Sequence, residues 1–176
     1  SILMDGDSND ADNSLDTIAT ADGVTVISGT VLTLTATTSG IVPAGKLTLA
    51  AKTGVYIADA MTLYAASNKA LVINADSDSG STNGTLTVAS TKTVTSNKSD
   101  VTITAWDVDM AGSLTAGTKA LTIHGAEATQ TFSIGAGTNS MVIVDAEMGR
   151  LTAEAGLTIG SASSGSISVA GVTDGS

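Results

Sequence analysis

One phrase occurs four times between Ser67 and Glu147: SNKALVINAD at 67–76, SNKSDVTITAWD at 96–107, GTKALTIHGAE at 117–127 and GTNSMVIVDAE at 137–147. Each copy has a small or polar lead-in, an apolar-x-Ile triplet, and then a small residue and an acid. The isoleucines are Ile73, Ile103, Ile123 and Ile143, so the last three stand 20 residues apart and the first gap is 30. A fixed period near 20 is the mark of a chain that winds into a solenoid, each turn covering the apolar face of its neighbour. Leu114 and Ile134 repeat the interval, and the reading puts both pairs in phase.

The composition suits such a coil. Apolar residues make up 42% of 176, enough for a core, yet only 2% are aromatic. Ala, Val, Ile and Leu fill narrow interiors, and abundant Thr and Ser with 19 Gly favour short strands and tight turns over helices. The expected fold is therefore all-β, a parallel β-helix of about 20 residues per coil and roughly eight coils, a rod of about 40 Å. Inward positions stack Ile103, Ile123 and Ile143. Domain bounds follow: an acidic loop or linker over 1–14, extended rather than coiled, the solenoid over 15–172, and a polar tail over 173–176.

Along the chain, strands are expected near Val24–Ile27 and Val31–Ala36, where Leu32 and Leu34 alternate with Thr33 and Thr35. Pro43-Ala44-Gly45 reads as a turn, and strands follow at 46–51, 54–58, 61–66, 85–90 and 92–96. The polar run at 76–85 reads as a loop thrown from a corner, which accounts for the interval of 30. Neither terminus carries an evident helix or charged lid, and uncovered strand edges pair with other strands. End-to-end stacking of identical units, or continuation of the solenoid in a longer parent chain, is the expectation.

Phrases such as GKLTLAA, GTLTVAS, GSLTAGTKALTI and AGLTIGSASSGSISVAG resemble the filamentous-haemagglutinin type of right-handed β-helix. The resemblance spans about Val24 to Val172. It implies giant secreted adhesins and related extracellular filament proteins, although that family's N-terminal secretion motif is not visible in this sequence.

Net charge is −10, with seven Lys and Arg, which disfavours nucleic acid and anionic membrane as partners. No apolar run is long enough to span a bilayer as a helix. The lack of Cys rules out disulfides, and with the acidity it fits a secreted or cell-surface protein, though it is equally compatible with the cytosol.

Candidate sites are few. Asp5, Asp7, Asn9, Asp10 and Asp12 offer alternating hard oxygens like the first half of a calcium loop, but the following glycine and distal glutamate of an EF-hand are missing. Calcium is the one candidate cofactor, and a solvated acidic linker is the plainer reading. Asp76, Asp107, Glu127 and Glu147 end the four phrases and would stack as a column about 5 Å apart, binding calcium or assisting sugar chemistry, or merely solubilising a corner. His124 follows an inward Ile and should face out, and with no second His and no Cys it offers no triad or zinc site. Threonine pairs at 33/35, 85/87, 93/95 and 102/104 suggest an ice-binding row, but 122/124 and 142/144 break it. Asn83 and Asn97 begin glycosylation sequons at expected corners.

The resulting expectation is a non-enzymatic structural module of an extracellular filament, a head-to-tail homopolymer of identical subunits. An adhesin stalk that binds carbohydrate or a receptor is the alternative, and a polysaccharide-acting enzyme the third.

Overall fold

The computed structural model of the chain describes residues 1–6, 17–36, 39–64, 69–80 and 83–173. Its strands come in threes, because each short apolar alternation is followed by a corner of Gly, Ser, Asn or Asp that turns the chain. The first coil holds β1 (Ile2–Asp5), β2 (Thr17–Thr20) and β3 (Val24–Ser28), and the second β4 (Val31–Thr35), β5 (Gly40–Pro43) and β6 (Leu47–Ala51). The third holds β7 (Gly54–Ile57), β8 (Met61–Thr62) and β9 (Leu71–Asn74). The fourth holds β10 (Thr85–Val88), β11 (Thr93–Thr95) and β12 (Val101–Ala105), and the fifth β13 (Asp107–Met110), β14 (Ser113–Gly117) and β15 (Leu121–Gly125). Like strands stack in parallel into three sheets, β1-β4-β7-β10-β13, β2-β5-β8-β11-β14-β18 and β3-β6-β9-β12-β15-β19, where β18 is Leu151–Ala153 and β19 is Leu157–Ile159. This is a three-sided parallel β-solenoid.

The register builds the core as ladders of like residues. In the third sheet Val26, Leu49, Ile73, Ile103, Ile123 and Ile159 stack in one column, and all but the first and last are wholly buried. The first sheet stacks Met4, Leu34, Ile57, Val88 and Met110. At about 25 cal/mol per Å² of apolar surface, each Leu or Ile rung is worth about 1.5–3 kcal/mol, and the rungs are numerous. Outward positions are mostly Thr, whose β-branched side chain fits the half-exposed pleat.

Members of the third-sheet column lie 23, 24, 30, 20 and 36 residues apart, so corner insertions dilute the expected period. Among the described residues there are five complete three-stranded coils and a sixth with two strands, fewer than the eight expected, for a stack of roughly 25–30 Å.

Ile143 departs from the expected column. It lies in β17 (Met141–Val144), which pairs with β16 (Phe132–Gly135), and Ile159 takes its place on Ile123. Likewise Ile134 pairs with Ile143 and Val169 while Leu114 pairs with Val94 and Leu151. The fourth copy of the phrase has thus been used in a separate three-stranded sheet, β17-β16-β20, where β20 is Ile167–Ala170.

That sheet is joined to the solenoid by side chains instead of a ladder. The β17 amide of Val142 donates to the carboxylate of Asp107 on β13 (3.2 Å). The short helix α1 (Asp145–Met148) brings Glu147 into the seam, where one carboxylate oxygen accepts from the Met110 amide (2.8 Å) and the other from Val144 (2.9 Å). Arg150 closes it by donating through Nη1 to the Met110 carbonyl (2.8 Å). Glu147 stands at the third helical position and reaches back to the residue before the helix, half of a capping box, since Val144 has no side-chain oxygen to return the bond.

Two local expectations change. Residues 2–5 are a strand and not part of a linker: Ile2 and Met4 pair with Leu32 and Leu34 and pack on the core, a two-rung alternation masked in sequence by the aspartates that follow. Pro43 ends a strand where a turn was expected. It has no N–H to give, so the Ala44 amide bonds Thr20 (2.8 Å) while the Pro43 carbonyl accepts from Tyr64 (2.8 Å). Among the described residues no helix is long and apolar enough to cross a membrane.

Candidate functional site

The four acids that end the repeated phrase do not form a column. Asp76 lies three residues beyond its isoleucine and the others four, and in an extended chain one residue of slip reverses the side chain. Asp107 and Glu147 are consumed in the seam. Burial, above all, pushes the Asp107 carboxyl up, against the amides of Val142 and Val108, which pull it down.

Asp76 is the exception that has no structural employment. It is 1% exposed, and neither carboxylate oxygen has a hydrogen-bond partner. The chain presses it there: Gly84, at φ +97°, passes directly over it, and a Cβ on that glycine would overlap the Asp76 side chain. Its own amide is held by Asn74 Oδ1 (3.2 Å). Burial first, and the neighbouring charges of Asp78 and Glu127 after it, hold the Asp76 carboxyl above the usual range, opposed by the nearby Gly80 amide, which stays short of a hydrogen bond. Asp78, two residues on, is exposed and faces Lys52 at 3.7 Å.

Asp59 shows the opposite environment. Although nearly buried, it accepts from the Ala36 amide (2.8 Å), the Thr35 hydroxyl (3.2 Å) and Lys92 Nζ (2.5 Å). Burial, its largest influence, raises the carboxyl, and the combined bonds from Lys92, Ala36 and Thr35 outweigh it and hold Asp59 below the usual range. The pair lines a cleft of about 340 Å³ with Gly40, Val42 and Thr62. At the surface Asp22 ties Lys69 and the Lys46 amide, which lower its carboxyl.

Of the expected calcium ligands, Asp5 lies in β1 opposite Thr35, and Asp7, Asn9, Asp10 and Asp12 fall outside the described residues. Among the described residues no three carboxylates or imidazoles converge to hold a metal. His124 sits on β15 opposite Thr104, half-buried on the outward side. Asn83 is exposed before β10. Asn97, at φ 53°, donates through Nδ2 to the Leu63 carbonyl (3.0 Å).

The threonine pairs are spread over three sheets, so they make no single row. On the third sheet, however, Thr25, Thr48, Val72, Thr102, Thr122 and Thr158 do form one outward file, since 142 and 144 belong elsewhere. The file beside it reads Ile27, Ala50, Asn74, Thr104 and His124, which gives no second threonine row.

The most unusual surfaces are the two ends of the stack. At one, the outer edges of β1, β2 and β3 have no partner strand among the described residues, and Leu3 (63% exposed) and Ile27 (67%) stand in solvent. At the other, β20 is an edge strand exposed on both faces, where Ile167 and Val169 (64% exposed) continue the columns of Phe132 and Ile134 with nothing over them among the described residues, and Leu157 and Ile159 of β19 are only partly covered. Sequence reasoning missed β20 as an edge because its ISVA looks like any other rung.

The class defined by this geometry is the parallel β-solenoid. Comparison with protein-family models, with curated proteins and with solved structures finds no match to the chain.

Proposed function

We propose that the chain is a structural module of an extracellular filament or surface assembly and associates end to end with identical copies. The observation that carries this reading is that, among the described residues, the strands at both ends of the stack leave apolar-rich edges unpaired. Both present parallel edges of the same polarity, so stacking one copy on the next adds like strands, and a head-to-tail contact that does not close on itself grows into a filament. The resemblance of the coil phrases to filamentous-haemagglutinin repeats supports the extracellular setting. A net charge of −10 repels like copies, so assembly should strengthen as salt rises.

The test is electron microscopy and sedimentation of the purified protein over a range of concentration and salt. Filaments are expected for the native chain, and none for Ile27→Lys or Val169→Lys, each of which places a charge in the rung at one end and leaves the strand content measured by circular dichroism unchanged. Isolated short rods at every concentration would sink the proposal.

A carbohydrate-binding adhesin stalk is the second reading, favoured by one feature. Tyr56, 39% exposed, stands between Thr33 and Thr87 beside a groove of about 200 Å³ over Gly54. An aromatic ring beside a few hydroxyls is a common kind of small-ligand surface. Glycan-array binding that Tyr56→Ala abolishes would favour it.

A further inference from the structure

The corner between β9 and β10 begins Asp76-Ser77-Asp78-Ser79-Gly80, two carboxylates in D-x-D spacing followed by a glycine. An acidic corner alone signifies little, because most are solvated. Here one of the two acids is buried to 1% with both oxygens unpartnered, a condition that native proteins rarely tolerate. Its polar neighbours relieve it only in part: the Gly80 amide is near enough to pull the carboxyl down but makes no hydrogen bond to either oxygen. Asp78 lies within interaction reach, but ionised carboxylates only accept, so two of them facing each other cannot bond. Lys52 approaches Asp78, not Asp76. Nor can the side chain swing clear, because Gly84 packs over it and the Gly84 carbonyl is pinned by the Trp106 amide (3.0 Å).

We propose that the Asp76–Asp78 corner binds a divalent cation, calcium by its chemistry, with Asp76 as the buried ligand and Asp78 as the solvent-side ligand. The donors are hard oxygens, without His or Cys, which selects calcium or magnesium over transition metals. The turn over 76–80, outside the regular strands, suits the flexible coordination of calcium better than the strict octahedron of magnesium. Two carboxylates make a weak site, with a dissociation constant on the order of 10⁻⁴–10⁻³ M, the range of extracellular modules. The cation would lock the corner that joins the third and fourth coils. The inference is independent of end-to-end assembly, and concerns different residues from the Asp5–Asp12 segment.

Trp106, the only tryptophan, lies beside the site through its bond to Gly84, and so serves as an antenna for terbium, a luminescent substitute for calcium. The experiment excites Trp106 in the full chain during terbium titration, displaces the ion with calcium, and follows thermal unfolding in calcium, magnesium and chelator. Saturable emission displaced by calcium is expected, with a rise in Tm of roughly 3 °C at tenfold excess over the dissociation constant. Asp78→Asn, an exposed change that leaves the fold intact, should weaken calcium at least tenfold, and Asp76→Asn should abolish the emission. A variant with Asp5, Asp7, Asp10 and Asp12 all changed to Asn should retain it. Absent emission in the native chain, or undiminished calcium affinity in Asp78→Asn, would overturn the proposal, as would loss of the signal in the N-terminal variant alone.

Discussion

At the residue scale, two aspartates of similar burial have opposite surroundings. Asp59 is held by an amide, a hydroxyl and a lysine, and Asp76 by nothing that donates well. The sign for Asp59 follows from its depressed carboxyl. Its stabilisation is complete above the unfolded value near 3.8 and is lost as pH falls through the lower folded value. Asp59→Ala should therefore cost about 1–3 kcal/mol at pH 7, by removing a charged acceptor from the Ala36 amide, the Thr35 hydroxyl and Lys92, and less as pH falls toward 2. Urea unfolding of both proteins at the two pH values checks this; an equal difference at both would show that the carboxylate's charge is immaterial. The two sequons differ in the same local way. With Asn97 Nδ2 engaged by Leu63 and Asn83 exposed, a glycosylating host should modify Asn83 first, read as a mass shift that Asn83→Gln removes and Asn97→Gln does not.

At the element scale, the informative join is the one without a ladder. Between β13 and β17 the backbone amides of Met110, Val142 and Val144 are met by Glu147 and Asp107, so two side chains stand where a strand edge would be. Glu147→Ala removes the acceptor of two amides and should destabilise by about 2 kcal/mol or more. Hydrogen exchange gives the sharper readout: Met110 and Val144 should lose protection while Ile103 and Ile123, deep in the third sheet, keep theirs. Uniform loss over all four would mean that the seam and the coils unfold as one unit.

At the scale of the whole molecule, stability is distributed along the stack. Ile123 is clamped between Ile103 and Ile159, and Ile123→Ala should cost about 2–5 kcal/mol, whereas Thr122→Val beside it on the outward file should change stability by less than about 0.5 kcal/mol. Denaturant unfolding of the two variants tests this, and comparable losses would contradict the assigned faces. A stack also ends abruptly, unlike a closed barrel, so the last rungs leave apolar side chains and strand edges unmatched. That is why the ends, and no pocket, carry the proposed association.

How much of this was legible in the chain depends on the range of the interactions involved. Alternation within four or five residues identified most strands, and Ile73, Ile103 and Ile123 disclosed their shared column, because parallel stacking repeats a local pattern at a regular interval. The same sequence logic failed at Ile143, whose phrase is locally indistinguishable from its three predecessors; only the competition between Ile143 and Ile159 for the place on Ile123 decides where each goes. Asp76 is a similar case. A polar run of aspartate and serine reads as solvated, and nothing near it in sequence reveals that Gly84 will close over one carboxylate and leave it dry. The sequence by itself determined the coil, since repetition and side-chain alternation are local properties. The tertiary structure alone decided which repeats stack, which acids are buried and which edges stay open, since those depend on what the rest of the chain has already covered.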